Sequence, residues 1–364
     1  MNKFHQKLFF LIFSLMFSLP CFPITEIDTT DQYARTSSKS IFLILTYDSD
    51  IGLGFGGKGI IKNHFRRNES FDLVLFGSSK GEQWYVFTFS MPDFEIRQRT
   101  VYSLAVDLKI EFNKKLKSNF FGFGNDSEDN SWQFPHEKSK LELTAGRGFT
   151  ERIVGEIGLS FNYISVYDFD NNPLLTTEVP GTGENFISFL TAKIRWDSRD
   201  SQINPQKGWK FGVNSDFATK LLGSDFDYQR FRLELSNYQR LFTDSYILAW
   251  RIWVQHVEGI APYFEQSILG DGWTLRGFKA DRFIDHAFAL CSTEFRFSIY
   301  KKIGGVMFFD TGRVFSSIEK VNFLGWKSNL GGGLRYYLTN FVVRFDAGKS
   351  NEGTRIFFNF GHAF

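Results

Sequence analysis

Three charged residues of the chain, Asp197, Arg199 and Asp200, stand within four positions and carry side chains that do chemistry. Two carboxylates at this spacing could hold a metal ion or serve as a general acid and a general base. The same residues could instead form ion pairs that hold a turn, with Pro205 and Gly208 shaping its backbone. We favour this turn as a structural motif, because it follows the end of a strand pattern.

A second acidic group, Asp126, Glu128 and Asp129, follows a glycine-rich stretch and is similar to a loose calcium loop. Its spacing matches no EF-hand, so we interpret it as a solvated external loop. The glycines of residues 52–59 would suit a nucleotide-binding turn, but no helix pattern follows them. They are better interpreted as flexible or closely approached strand positions.

The chain offers little for nucleophilic catalysis. It has only six histidines, and no serine recurs on one face with a histidine and an acidic partner. We therefore predict that the protein is not an enzyme and has no catalytic residue, no metal and no cofactor. A net charge of +2 produces no strong field that would favour nucleic acid, so nucleic acid is not an expected partner.

The N-terminus has the pattern of an export signal. Basic residues within 1–7 precede a nearly continuous apolar run over 8–19, which Pro20 ends. This run is too short to span a bilayer as a helix, so we predict a signal peptide over 1–23 and a short periplasmic linker over 24–39. Cys21 raises a lipoprotein alternative, but the Ser-Leu-Pro before it is a poor lipidation signal. Removal of the signal leaves Cys291 alone and excludes an intramolecular disulfide.

Alternation of apolar and polar residues with a period of two dominates the rest of the chain, and turn signals separate the runs. Aromatic residues make up 18% of the sequence, with 45 phenylalanines. The pattern predicts about sixteen strands: 40–48, 52–64, 70–80, 82–92, 99–113, 137–149, 152–167, 185–198, 208–218, 226–241, 244–257, 285–299, 303–315, 326–338, 340–348 and 354–364.

The polar face of these strands decides between two all-β folds. Charged residues stand in mid-strand, opposite large aromatics; Glu294 and Arg296, for example, alternate with Phe295 and Phe297. A soluble sandwich would bury the aromatics, and one strand alone does not exclude that alternative. Long strands, so many rings and an export signal favour a transmembrane antiparallel β-barrel over 40–364, with rings toward lipid and charges toward the lumen. Such a sheet must close, because lipid leaves no partner for open strand edges.

Several motifs in order along the chain resemble the BamA/TamA-type bacterial surface antigen family, whose members are outer-membrane assembly and two-partner transporter barrels. The resemblance covers residues 119–364, essentially the whole predicted barrel. It rests on "NFFGFGND" (119–126), "RWDSRDSQINPQKGW" (195–209), "LRGF" (275–278), "STEFRF" (292–297), "FFDTGRVF" (308–315), "GGGLRYY" (331–337) and "FNFGHAF" (358–364).

The resemblance implies a role for the connection over 258–284, the sixth extracellular loop of the predicted barrel. Arg276, Gly277 and Phe278 match the loop motif, and the family pattern folds this loop into the lumen. Asp310 and Glu294 match the acidic wall residues that hold the arginine. Their parity agrees, since both stand on polar strand faces. A buried guanidinium needs carboxylate partners to offset the loss of its hydration.

Two alternatives remain for this loop. The arginine could be solvated on a surface loop, or Glu294 could pair with Arg296 and leave Arg276 free. Gly312, two residues beyond Asp310, clears space on the same inner face and favours an inserted loop.

The C-terminal residues Phe358, Phe360 and Phe364 resemble the end-strand signal by which barrel-assembly machinery recognises its substrates. The alternation places all three on the lipid-facing side of the last strand. It also places His362 on that side, near the membrane interface.

The family implies insertion of outer-membrane proteins, or their translocation, at a weak seam between the first and last strands. The resemblance also implies outer-membrane lipid, client outer-membrane proteins and an unidentified periplasmic partner as contacts, because about 16 residues of the predicted mature chain precede the first strand and leave no room for a POTRA domain. A passive or gated pore plugged by the sixth loop is the alternative.

Overall fold

The computed structural model describes residues 37–48, 52–130, 132–243, 245–338 and 342–364. The predicted signal peptide, 1–23, and most of the predicted linker lie outside these residues. Within them the chain is almost entirely β, with three single-turn 3₁₀ helices at Lys220–Leu222, Tyr263–Glu265 and Ile318–Lys320. No helix in the described ranges is both long enough and apolar enough to cross a membrane.

Eighteen strands are present in the described part of the chain. In order they are β1 (Ser38–Asp48), β2 (Gly52–Lys62), β3 (Ser70–Ser78), β4 (Gln83–Met91), β5 (Tyr102–Phe120), β6 (Trp132–Gly148), β7 (Ile153–Val166), β8 (Gly183–Asp197), β9 (Gly208–Ala218), β10 (Tyr228–Leu241), β11 (Tyr246–Gly259), β12 (Ser267–Leu269), β13 (Phe283–Asp285), β14 (Ala287–Tyr300), β15 (Ile303–Phe315), β16 (Lys327–Tyr337), β17 (Val342–Ser350) and β18 (Gly353–Phe360).

Sixteen of these strands form one antiparallel sheet in which neighbours in sequence are neighbours in space. Strands β12 and β13 stand apart and pair only with each other, so β11 pairs directly with β14. Backbone hydrogen bonds join each strand of this sheet to the next, from β1 to β18. The prediction of about sixteen antiparallel strands is confirmed.

The two faces of the sheet show the inverted distribution that the alternation predicts. Apolar side chains point outward on many strands, and Ile194, Met307 and Ile356 are 52%, 56% and 64% exposed. On the inner face, Glu294 and Asp310 are fully buried. Such a layout suits lipid outside and a polar interior, and it is the opposite of a soluble sandwich.

Because consecutive strands are antiparallel, their connections alternate between two ends of the sheet. We call the end where β1 begins proximal and the other end distal. The connection between β11 and β14, residues 260–286, leaves from the distal end and contains the Tyr263–Glu265 turn and the β12–β13 hairpin. We call these residues the lumen loop, because their side chains pack against the inner face of the sheet.

Candidate functional site

The tip of the lumen loop, residues 270–282, is a compact turn held by its own hydrogen bonds. Gly270 has a φ of 107°, which a residue with a side chain adopts only under strain. Its N–H donates to Thr274 Oγ1 at 2.9 Å, and its carbonyl accepts the N–H of Asp281 at 2.9 Å. Asp271 Oδ1 accepts the backbone N–H groups of Trp273 and Thr274, both at 2.8 Å. These bonds fix the direction in which the next residues point.

Arg276 projects from this tip into the inner face of the sheet and is fully buried. Its Nε and Nη2 donate to the two carboxylate oxygens of Asp310 on β15, at 2.9 and 2.8 Å. Nη1 donates to Glu294 Oε1 on β14 at 2.5 Å and to Asp346 Oδ2 on β17 at 3.2 Å. We call Arg276 with Glu294, Asp310 and Asp346 the tip anchor. The bidentate contact gives the arginine a fixed orientation as well as charge compensation.

The carboxylates of the tip anchor are shared with arginines of the wall. Glu294 Oε2 accepts from Arg296 Nε at 2.7 Å, and Asp346 Oδ1 accepts from Arg335 Nη1 at 2.5 Å. Arg344 also donates to Asp346, at 3.3 Å. The alternative in which Glu294 pairs with Arg296 is therefore present, but it does not leave Arg276 free. Four guanidinium groups and three carboxylates meet in a volume closed to solvent.

Close packing completes the surroundings of Arg276. Its guanidinium lies 3.6 Å from the ring centre of Phe308, a geometry that favours a cation over an aromatic face. A Cβ on Gly348 would lie 2.2 Å from the Arg276 carbonyl oxygen, so this position of β17 admits only glycine without a shift of the loop. Gly277 is similarly tight against Asn329 and Ser350, and Ser350 Oγ donates to its carbonyl at 2.7 Å.

Phe278, Leu275 and Leu269 of the loop form a buried apolar cluster with wall residues beside the ion pairs. Phe278 packs edge-on against Phe283 with ring centres 5.2 Å apart. A Cβ on Gly312 would lie 3.1 Å from Leu269 Cδ1. The structure thus brings together the loop motif, both predicted carboxylates and the glycine expected to clear space.

The protonation of Arg276 follows from its neighbours. Burial lowers the pKa of the guanidinium, but the carboxylates of Asp310 and Glu294 outweigh burial and raise that pKa above its usual value. The arginine is therefore charged at any physiological pH. Its carboxylate partners are occupied by arginines, and the described residues contain no group of three or more His, Cys, Asp or Glu side chains arranged to hold a metal ion.

A second ionic contact holds the other end of the lumen loop, and no sequence motif indicates it. Glu265 Oε2 accepts from Arg230 Nη1 on β10 at 2.5 Å, and Arg230 also donates to Asp216 on β9 at 2.7 and 2.9 Å. We call Glu265, Arg230 and Asp216 the base anchor. Burial raises the pKa of the Glu265 carboxyl, but Arg230 and Lys138 outweigh burial and hold it at about 2.

Asp197 at the end of β8 and the two charged residues after it form a turn, as the sequence predicts. Arg199 donates from Nε and Nη2 to the carboxylate of Asp197, at 2.9 and 2.7 Å. Asp200 Oδ1 accepts the backbone N–H groups of Gln206 and Lys207 at the far side of the turn. Gly208 has a φ of 111°, and a Cβ there would lie 2.5 Å from Ser198 O.

The same turn includes Pro205, which is buried. That this turn is a structural motif rather than a metal site stays a prediction.

The interpretation of residues 126–129 as a solvated loop describes only part of their surroundings. Asp126, Glu128 and Asp129 are exposed. Asp129 nevertheless pairs with Lys279 at 3.1 Å, and the carbonyl of its neighbour Ser127 accepts from Arg282 at 2.7 Å. The connection between β5 and β6 therefore contacts the tip of the lumen loop. Alternation within a single strand carries no information about such contacts between connections.

Arg282 extends this contact to a third connection. It also binds Glu352, between β17 and β18, at 2.8 Å. Three distal connections of the sheet thus meet at the tip of the lumen loop.

The placement of Phe364 beside Phe358 and Phe360 on the outer face is wrong. Phe358 and Phe360 are exposed on β18, but Gly361 has a φ of 88° and turns residues 361–364 inward. We call residues 361–364 the C-terminal segment. Its Phe364 ring lies 6.4 Å from that of Tyr238 on the inner face of β10, and its carbonyl accepts from Arg296 at 3.2 Å.

His362 departs from its expected position for the same reason. It is buried rather than lipid-facing, and its Nε2 lies 3.1 Å from Asn204 Oδ1 in the proximal turn.

Several residues of the site are not predicted by the sequence motifs. Asp346, Arg344 and Gly348 stand on the polar face of β17, and Arg335 on that of β16, so parity alone could have placed them inside. Their contact with Arg276 could not be found that way, because it depends on the depth to which the loop enters. Glu265 and Arg230 are 35 positions apart and belong to no recognised motif.

A sixteen-stranded antiparallel sheet with a polar interior, entered by a loop whose arginine is held by wall carboxylates, defines a transmembrane β-barrel with an inserted loop. The sequence profile of the Omp85 superfamily domain matches residues 63–364, and the chain belongs to that superfamily. A sequence comparison with curated proteins finds no match.

Solved structures show the same fold. BamA from Haemophilus ducreyi lacking POTRA domains 1–3 is 13% identical with a TM-score of 0.60, and CdiB from Escherichia coli is 12% identical with a TM-score of 0.63. CdiB from Acinetobacter baumannii is 12% identical with a TM-score of 0.56. Each similarity covers 89% of this chain, which spans 70%, 62% and 59% of the three relatives in that order.

Proposed function

We propose that the protein aids the insertion of outer-membrane proteins, or their translocation, at the seam between β1 and β18. Omp85 proteins are insertion or transport barrels rather than enzymes, and they lie in the outer membrane of Gram-negative bacteria. The same location is proposed here, with the distal end outside the cell and residues 1–23 as the export signal. In this proposal residues 40–364 form the barrel.

The observation that supports action at the seam is the shape of the last strand. Strand β18 has eight residues against eleven in β1, and the chain leaves the sheet at Gly361. The N–H of Gly361 still donates to Val342 O at 2.7 Å, but the residues after it have left the sheet and lie on its inner side. A short terminal strand offers a limited edge, to which a client strand can add by main-chain hydrogen bonds.

The proposed contacts follow from the apolar outer face of the sheet and from the seam. Outer-membrane lipid covers the apolar outer face, and client outer-membrane proteins approach the seam with an end strand of their own. A periplasmic partner that delivers clients is proposed at the proximal end.

Client folding in proteoliposomes tests the proposal. The purified protein should accelerate the folding of a small outer-membrane barrel added in urea, measured by heat-modifiability on a gel. Gly361→Ala should reduce this acceleration, because a side chain at a φ of 88° strains the inward turn.

Gly353→Ala is the matched control. Gly353 has a φ of 117° at the other end of β18, and a Cβ at either glycine would meet no atom within 4 Å. Equal folding rates with and without the protein would contradict the proposal.

A gated pore is the second candidate, and a cavity favours it. A space of about 320 Å³ lies between the inner wall of β5 to β7 and the lumen loop. Its lining includes Lys115, His136, Lys138, Tyr263 and Asp281. Flux of small charged solutes through proteoliposomes, without faster client folding, would support the pore and reject insertion.

A further inference from the structure

Arg251 occupies an unusual place on the inner face of β11. Its side chain is 4% exposed, and its two terminal nitrogens point to different parts of the chain. Nη2 donates to the carbonyl of Trp273 in the lumen loop at 2.6 Å, and Nη1 donates to the carbonyl of Ala363 in the C-terminal segment at 3.2 Å. One guanidinium therefore joins two segments that are about 90 residues apart and belong to different elements.

The contacts of Arg251 differ in kind from those of Arg276. No carboxylate among the described residues lies within ion-pair distance of Arg251. The guanidinium instead faces the rings of Phe364 and Trp253, at 4.9 and 5.2 Å from their centres. Carbonyls and rings hold a cation more weakly than three carboxylates do. Of the two buried arginines, Arg251 has the contact that is easier to release.

A second set of contacts connects the same two segments. Glu294 binds Arg276 of the loop through Oε1 and Arg296 through Oε2, and Arg296 donates to the Phe364 carbonyl. The loop also lies directly against β18, since a Cβ on Gly272 would lie 2.7 Å from Asn359 Nδ2. Movement of the loop tip would therefore disturb the last strand and the segment that follows it.

We propose that Arg251 is a positioning residue that couples the lumen loop to the C-terminal segment, so that displacement of one frees the other. Under the proposed function, on which this role rests, the coupling would release the seam strand when the loop moves. The carbonyls of Trp273 and Ala363 each lose a hydrogen bond when Arg251 is removed, which favours exposure of both segments.

Two local probes test the coupling without any client protein. Ala363→Cys, in a chain with Cys21→Ser and Cys291→Ser, reports release of the C-terminal segment through its rate of maleimide labelling. Trypsin cleavage after Lys279 reports release of the loop tip. Both are measured on the folded full-length protein in detergent and in liposomes.

Arg251→Met should raise both rates by about tenfold or more, because methionine keeps an apolar stem but offers no donor. Arg97→Met is the matched control: Arg97 is also buried, but it donates to Asp107 on β5 and to the carbonyl of Pro92, and it contacts neither segment. It should change either rate by less than about twofold. If Arg251→Met fails to fold, Arg251→Lys provides the same comparison, since one ammonium replaces a fork that reaches two acceptors.

Arg276→Lys then completes a double-mutant cycle. With Arg251 present, it should raise labelling at position 363, and with Arg251→Met its further effect should be less than about twofold. Release of only one segment by Arg251→Met, or an equal effect of Arg276→Lys in both backgrounds, would overturn the coupling. Coupled release in a protein that does not accelerate client folding would leave this inference standing and reject the proposed function.

Discussion

The tip anchor and the base anchor hold the same loop with opposite polarity. At the tip the loop supplies the cation, Arg276, and the wall supplies three carboxylates. At the base the loop supplies the carboxylate, Glu265, and the wall supplies Arg230. Exchange of the two ends would bring like charges together, so this arrangement fixes which part of the loop lies where. The number of partners differs, and the tip should be the stronger of the two.

Arg276→Ala should have the largest effect on this comparison. It leaves the buried Asp310 carboxylate without the cation that binds both of its oxygens, and removal of one partner from a buried pair costs about 3–5 kcal/mol. The free energy of unfolding in detergent, from urea titration, measures the loss. Arg276→Lys should recover part of it, because it restores the charge but not the bidentate contact. Equal stability of the alanine variant and the parent would contradict the anchor.

Gly348→Ala should displace the tip without removing any charge. The added Cβ would lie 2.2 Å from the backbone oxygen of Arg276, and overpacking of this kind costs about 1–3 kcal/mol. The loop tip should become more accessible to trypsin at Lys279. Gly59→Ala is the control, because a Cβ at Gly59 meets nothing within 4 Å. Similar cleavage in the two variants would show that the close approach at Gly348 does not hold the tip.

Glu265→Gln should weaken the base anchor less than Arg276→Ala weakens the tip anchor. Arg230 keeps Asp216 as a partner, so the loss is that of one charged hydrogen bond, about 1.5–3 kcal/mol. Urea titration again gives the value, with Glu258→Gln at an exposed position as the control. A loss as large as that of Arg276→Ala would show that the two anchors are equivalent.

Acid should weaken the base anchor only within a narrow window. The pKa of Glu265 is about 2 in the folded protein against 4.5 for the free side chain. A lowered pKa contributes stability that is complete above the unfolded value and lost as the pH falls through the folded one. Stability attributed to Glu265, the difference between the parent and Glu265→Gln, should therefore be constant above pH 4.5 and decline toward pH 2. A difference that declines at neutral pH would contradict this pairing.

The strands could be predicted because the alternation of apolar and polar residues lies within each strand. Residues such as Glu294 and Phe295 alternate along a chain that pairs with its sequence neighbour, so no distant contact is needed to place them. The contact of Arg276 with Asp310 and Glu294 could be expected only because the loop motif resembles that of a family.

Contacts between distant elements were the part that could not be predicted. The alternation along each strand fixes which of its side chains face inward, but it does not fix which of them a loop contacts. For that reason the sequence does not predict the role of Asp346 at the tip, the role of Glu265 at the base or the pairing of Asp129 with the loop. Phe364 was misplaced because alternation holds only while a strand continues, and the positive φ of Gly361 ends it.

The burial of the tip anchor has a consequence for handling the protein. Dissolved ions screen exposed charges strongly but have little access to a pair closed to water. Concentrated salt, which detaches peripheral proteins from a membrane, would leave Arg276 in place. Only a competitor that enters the interior and offers its own anionic group to this arginine would displace it.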